Sequence, residues 1–117
     1  MTLRDEIQQT KPFTSLQEEA LLNILRTSAA MMDEMEDLLK QRGITNTQYN
    51  VLRILRGAEP EGLCRNELRD RMLTRMPDVT RLLDRMEEAG LVARSRDNED
   101  RRLVSTRITE AGRKVVD

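Results

Sequence analysis

The sequence holds no histidine and a single cysteine, Cys64, among its 117 residues. One thiol cannot close an internal disulfide, and without histidine it leaves too few ligands for a structural or catalytic zinc site, so no metal is expected. Hydrolase triads built on histidine are excluded as well. No glycine-rich phosphate loop is present and nothing beside Cys64 in sequence resembles a general base, so neither an enzyme nor a bound cofactor is expected. No apolar run approaches the roughly 18 residues that span a bilayer, which excludes a membrane protein. The opening segment, residues 1–10, alternates charged and polar residues and lacks the apolar stretch of a secretory signal, so a cytoplasmic location is expected.

What is present suits one compact core, because a chain of this length buries roughly two-thirds of the surface its unfolded form exposes. The net charge of −1 conceals an uneven distribution. Residues 1–39 carry three basic groups against eight acidic ones, a net of −5, and the remainder carries 17 against 13, a net of +4. Of the 20 basic residues 17 are arginine, whose planar fork matches phosphate oxygens and guanine edges better than lysine does. Nucleic acid is therefore a candidate partner, set against the plainer reading in which arginines solvate helix faces and pair with carboxylates.

Either Thr14 with Gln17 or Ser15 with Glu18 has capping-box spacing, so a helix begins near there. Leu21, Leu25, Ser28, Met32, Met35 and Leu39 then recur at alternating steps of four and three, flanked by Leu22, Ile24 and Met31. This heptad-like seam offers more apolar flank than docking on one small domain requires and suggests a partner helix. Gly43 ends the helix as a left-handed cap. Thr45 and Gln48 cap a second helix that stops at Gly57 and the Glu-Pro-Glu-Gly turn of residues 59–62. A short helix over 65–72 places Leu68 and Met72 on one face. Thr74 is the expected cap of the next helix, with Pro77 in its first turn and Gly90 at its stop. Val79, Leu82, Leu83 and Met86 form its apolar face, leaving Pro77, Thr80, Arg81, Asp84 and Arg85 around the other side. Beyond Gly90 the period shortens to two, through 91–96 and again 102–108, which reads as a two-stranded hairpin. Thr109 caps a last helix that has only begun by Asp117.

Two short helices across a tight turn, followed at once by a basic hairpin, have the order of a winged helix-turn-helix. A helix about 10–12 Å across fits the major groove, and one anchored by its apolar face can present the other to base edges. The hairpin gathers Arg94, Arg96, Arg101, Arg102 and Arg107, and arginine suits a narrow minor groove of enhanced negative potential. The fold class is thus mainly α with a small β-hairpin wing and a long N-terminal helix. Residues 1–44 are read as a dimerisation helix, 45–108 as the DNA-binding domain and 109–117 as the start of a C-terminal helix.

Three segments carry a more specific resemblance: Asp78 through Arg94, with its Gly-Leu-Val-x-Arg strand; the Asp-Asn-Glu-Asp-Arg-Arg run of 97–102; and the Ile-Thr-Glu-Ala-Gly run of 108–112. Together they resemble the MarR family of transcriptional regulators. The resemblance implies a homodimer that binds double-stranded DNA at a pseudo-palindromic operator, usually represses transcription and is often released by a small-molecule effector or an oxidant. Carried over by position, Thr80 and Arg81 match residues that touch DNA, Arg75 and Pro77 fall in the turn leading to their helix, and Arg85 lies one turn further on. Asp100, Arg101 and Arg102 match the wing motif, the acid orienting basic residues and an arginine reaching the minor groove. Asp78 can accept from a cytosine amino group or hold Arg81 or Arg75 in place, the second role being preferred.

The family's C-terminal helices normally supply much of the dimer interface, and they would begin where this sequence stops. Either the chain is shortened or dimerisation rests on the N-terminal seam of Leu21, Leu25, Met32 and Met35. Cys64 stands where a polar capping residue is usual, beside Arg65 in a setting that can make a thiol reactive; a small semi-buried filler is the preferred reading over a redox sensor. A protein-interaction module that uses its long helix and spends its arginines on surface pairing is the alternative to a DNA-binding regulator.

Overall fold

The computed structural model describes residues 1–75, 78–96 and 103–117, and these pack as two compact units, Met1–Leu38 and Leu39–Asp117. In the first unit a single helical turn, α1 (Leu3–Glu6), is closed by a reciprocal cap. The Asp5 carboxylate accepts from the Thr2 amide at 3.2 Å, and the Thr2 hydroxyl accepts from the Asp5 amide at 3.4 Å. Bonds to Thr2, backbone first and then hydroxyl, hold the Asp5 carboxyl below its ordinary value. The mixed charged and polar pattern of residues 1–10 carries no periodicity from which this turn could be read.

The long helix α2 spans Leu16–Lys40. Its cap is Ser15, whose hydroxyl accepts from the Glu18 amide at 3.1 Å, while the Glu18 carboxylate turns back to accept from the Thr14 amide at 3.0 Å and from the Thr14 hydroxyl. Along the part of α2 in the first unit, Leu21, Ile24, Leu25, Met31 and Leu38 are each more than half exposed and Met32 is 42% exposed, with Met35 half-buried. A row of thioethers and aliphatic side chains left in water costs free energy that burial elsewhere would recover.

The second unit begins with Leu39, which is buried together with Ile44. Between them Gly43 adopts φ +77°, the left-handed conformation that lets the Ile44 amide close onto the Leu39 carbonyl at 3.2 Å. Thr45 and Gln48 then form the expected capping box at the head of α3 (Asn46–Gly57), with bonds of 3.0 and 3.1 Å. Helix α3 buries Val51, Leu52 and Leu55 completely. Leu68 of α4 (Arg65–Arg71) and Leu83 and Met86 of α5 (Val79–Glu88) complete the centre of this core. Leu82, expected on the apolar face of α5, is half-buried at its edge.

The sheet has three strands where a two-stranded hairpin was expected. β2 (Val92–Arg96) and β3 (Val104–Ile108) pair antiparallel as predicted, with Val92 opposite Ile108 and Arg96 opposite Val104. A further strand, β1 (Leu63–Cys64), pairs with the other edge of β3 and sets Leu63 against Thr106. Two residues are too few to show any alternation, which is why the sequence gives no sign of it. The alternation of β3 agrees with its burial: Thr106 and Ile108 are buried and Arg107 is exposed.

α6 (Glu110–Val116) opens on Thr109. The Thr109 hydroxyl accepts from the Gly112 amide at 3.0 Å and donates to the Gly90 carbonyl at 2.7 Å, fastening the helix to the turn between α5 and β2. At its other end Arg42 donates to the carbonyls of Val115 and Asp117, and Arg56 donates to the Val116 carbonyl and the Asp117 carboxylate. Among the described residues no helix is long and apolar enough to cross a membrane.

Gly112 is a steric requirement of this packing. A Cβ built there would lie 2.4 Å from the Leu91 carbonyl oxygen and 2.8 Å from Cγ1 of Ile108, whereas one at Gly57 meets nothing within 4 Å. Gly112→Ala is expected to cost about 1–3 kcal/mol by overpacking, while Gly57→Ala should change stability by between about 0 and +1 kcal/mol in the favourable direction. Urea unfolding of the two variants checks this, and equal midpoints would show that α6 does not press on the Leu91 backbone.

Candidate nucleic-acid interface

Between α4 and α5 the chain leaves helical geometry. Met72 ends α4 with an extended backbone (ψ 142°), and Asp78 opens α5. The Asp78 carboxylate accepts from the Arg81 amide at 3.0 Å, so Asp78 and not Thr74 is the N-cap, which corrects the expected start of this helix by several residues. A carboxylate at that place satisfies an orphan amide and also favours the positive end of the helix dipole, both of which outweigh what a threonine further back offers. The other oxygen of Asp78 lies 3.5 Å from Nε of Arg81. Of the two arginines that Asp78 was expected to hold, Arg81 is the one within ion-pair distance.

Burial of Val79, Leu83 and Met86 turns the rest of α5 outward. Thr80, Arg81, Asp84, Arg85 and Glu87 are all exposed. At 100° per residue, Arg81 and Arg85 lie on the side away from the core, whereas Thr80, Asp84 and Glu87 share one flank. That flank is engaged by arginines from two other elements. Nη1 of Arg65, at the start of α4, donates to Oγ1 of Thr80 at 3.1 Å. Nη2 of Arg94, on β2, donates to Asp84 at 2.6 Å and Glu87 at 2.8 Å, and the Arg94 amide donates to the second Glu87 oxygen at 3.1 Å. Arg65, Thr80 and Arg94 also line a cleft of about 320 Å³ together with Cys64, Leu83 and Thr106.

These bonds leave an electrostatic signature. The Arg94 side-chain bond, more than any other cause, holds the Glu87 carboxyl below its ordinary value of 4.5, and the same partners raise Arg94 above its own. Glu67, at the third position of α4, is lowered chiefly by the Cys64 thiol and then by the Cys64 amide, whose N–H donates to Oε1 at 3.1 Å. Cys64 is a half-buried free thiol that occupies the N-cap of α4.

The expected site residues thus divide into groups. Asp78, Thr80, Arg81 and Arg85 come together on the outward sides of α5, and Arg75 is exposed just before it. Arg96 stands exposed further along β2. Arg94 is drawn in instead: its side chain is 23% exposed and spans two carboxylates. Pro77, Asp100, Arg101 and Arg102 lie outside the described residues. Arg65, Asp84 and Glu87 were not among the expected site residues. For Asp84 and Glu87 a signal existed, two carboxylates at i, i+3 on one helix face shortly before an arginine in a strand; nothing in sequence ties Arg65 to Thr80. Among the described residues no group of histidine, cysteine or carboxylate side chains could hold a metal ion.

α5 thus presents two outward arginines after a capped turn, beside a three-stranded sheet. The MarR family model matches residues 44–104. The chain belongs to the MarR family. The HTH-type transcriptional regulator FarR of Neisseria gonorrhoeae is 31% identical over 94 residues, 80% of this chain and 63% of FarR, so the chain spans less than two-thirds of that relative's length. The crystal structure of a MarR transcription factor from Planctomyces limnophilus is 41% identical with a TM-score of 0.74, covering 90% of this chain and 76% of that one. The complex of S. aureus MepR with DNA is 30% identical with a TM-score of 0.70, over 80% of this chain and 69% of MepR. The winged-helix fold of the MarR family, mainly helical with a small antiparallel sheet, is therefore the fold of this chain.

The Arg94 bridge carries a pH prediction. Glu87 is lowered in the folded state, so its contribution is complete above the ordinary carboxyl value and is lost as pH falls through the lower folded value. Arg94→Met should be less stable than the unsubstituted chain at neutral pH, with the gap narrowing as pH falls below the ordinary carboxyl value of 4.5. Urea unfolding across that range measures it; a gap that stays constant would show that the bridge does not titrate.

Proposed function

We propose that this chain is a sequence-specific double-stranded DNA-binding transcriptional regulator, acting as a homodimer on a pseudo-palindromic operator, most simply as a repressor. The observation that carries this reading is the outward side of α5, where Arg81, held by Asp78, and Arg85 stand away from the core on a helix of groove-fitting width. The likeness to MepR, solved with DNA bound, supports it. Arg75 before the helix and Arg96 on the wing strand are assigned to phosphate or minor-groove contacts, and the family resemblance adds Pro77, Asp100, Arg101 and Arg102 to the DNA-binding set. Arg94 is assigned to bracing α5 against β2, because two carboxylates already compensate its charge. Release by a small-molecule effector follows from the family resemblance, and Cys64 is assigned to helix capping. No enzymatic step is assigned, in keeping with relatives named as transcriptional regulators. A regulator of this kind works in the cytoplasm.

Two outcomes test the DNA reading. A dimer that neutralises about 6–10 phosphates should lose roughly 10³–10⁵ in duplex affinity between 50 and 200 mM salt. Arg81→Ala should cost about 1–3 kcal/mol and relax preference at one position per half-site. Fluorescence anisotropy with labelled duplexes measures both, and binding indifferent to salt would favour the protein-interaction alternative.

The exposed seam of α2 supports the homodimer. Sedimentation at several concentrations should find a dimer whose dissociation constant rises at least about tenfold in Leu25→Glu or Met32→Glu, since burying an unpaired carboxylate costs more than 1.4 kcal/mol. A monomer at every concentration would remove the two-fold operator from the proposal.

A further inference from the structure

We propose that Arg65 is a positioning residue that sets the hydrogen-bonding polarity of Thr80 and thereby part of the base preference of α5; this rests on the DNA-binding reading above. A threonine hydroxyl carries one donor and two acceptor lone pairs, and in water its hydrogen turns to suit either kind of partner. In a helix threonine divides between two χ1 rotamers, so an isolated Thr80 would present both its hydroxyl directions and its methyl group. The Arg65 guanidinium, 3.1 Å from Oγ1, narrows that freedom in two ways. It favours the rotamer whose oxygen faces α4. It also biases the polarity: one lone pair is occupied by an Arg65 N–H, and a hydroxyl that already accepts from a cation is a stronger donor and a weaker acceptor through its remaining lone pair.

Thr80 is exposed on the flank of α5 beside Arg81, where its hydroxyl is accessible to a partner outside the protein. A hydroxyl biased toward donating suits the acceptors of the major groove, N7 and O6 of guanine, N7 of adenine and O4 of thymine, over the amino group of cytosine. Asp78 holds Arg81 on the adjacent position. The first turn of α5 is thus set by two side chains outside the helix, a carboxylate orienting an arginine and an arginine orienting a hydroxyl. The contact lies in water in the free protein and becomes stronger once water is displaced at an interface.

The test uses the 117-residue chain as wild type, Arg65→Ala, Thr80→Ala and the double variant. Each is equilibrated with a pool of duplexes whose core is randomised, and bound duplexes are sequenced. Arg65→Ala should reduce discrimination against cytosine by roughly 3- to 10-fold, the worth of one hydrogen bond, at the same position that Thr80→Ala affects and with the salt slope unchanged. Thr80→Ala should abolish the effect of Arg65→Ala, and Arg65→Lys, which keeps a donor, should recover part of the preference. In the free protein, scalar couplings of the Thr80 methyl should report one χ1 rotamer that becomes averaged in Arg65→Ala. A uniform loss over all sequences with a salt slope lower by about one would make Arg65 a phosphate clamp and overturn the proposal; so would additive effects of the two substitutions, or an unaltered Thr80 rotamer. A wild-type chain that enriches no duplex would instead remove the DNA-binding reading, and this proposal with it.

Discussion

Burial of Val79, Leu83 and Met86 fixes the rotation of α5 about its own axis. With those three side chains in the core the helix has no freedom to roll, and each remaining position is assigned a direction by the 3.6-residue period. Arg81 and Arg85 face outward as a consequence, and Thr80, Asp84 and Glu87 fall along a single flank where arginines from α4 and β2 can meet them. α5 packs against β2, whose Val92 is buried, and this places the Arg94 amide within reach of Glu87. What α5 presents to a partner is set by apolar packing on its opposite side.

The sequence pattern was informative where a periodicity runs for two turns or a cap has a reciprocal partner. α3 begins at the Thr45–Gln48 box, α6 begins at Thr109, and the two longer strands occupy the alternating runs. It was uninformative where the decisive contact is short or remote. β1 has two residues, and α1 has a single turn. The start of α5 was misplaced because Thr74 and Asp78 are both competent caps, and the choice depends on which amide each can reach once Val79 is buried. In the candidate site, residue types were legible and pairings were not. Arg94 reads as one more wing arginine in a basic run, yet Asp84 and Glu87 lie ten and seven residues before it and compensate its charge across the Gly90 turn.

Seventeen arginines against an abundant set of carboxylates give the molecule a choice at every guanidinium between pairing internally and facing outward. Geometry makes the choice residue by residue. Arg42 and Arg56 donate to carbonyls of α6, Arg94 braces α5, and Arg113 pairs with Glu59, so these contribute to the packing of the second unit. Arg81 is in between: its Asp78 partner sits at 3.5 Å on an exposed surface, where an ion pair is worth at most about 1 kcal/mol and can give way to a stronger acceptor. A loosely held arginine keeps its direction without surrendering its charge, which is what the groove-reading role proposed for it requires.

Capping and positioning therefore converge on the first turn of α5. Asp78 stabilises the helix start and restrains Arg81 with the same carboxylate, and its negative charge is tolerable there because the helix dipole and the guanidinium both offset it. An asparagine could accept from the Arg81 amide equally well but would leave the guanidinium without a charged partner, while an alanine would forfeit both. The acid is thus the side chain that lets one position satisfy folding and orientation together.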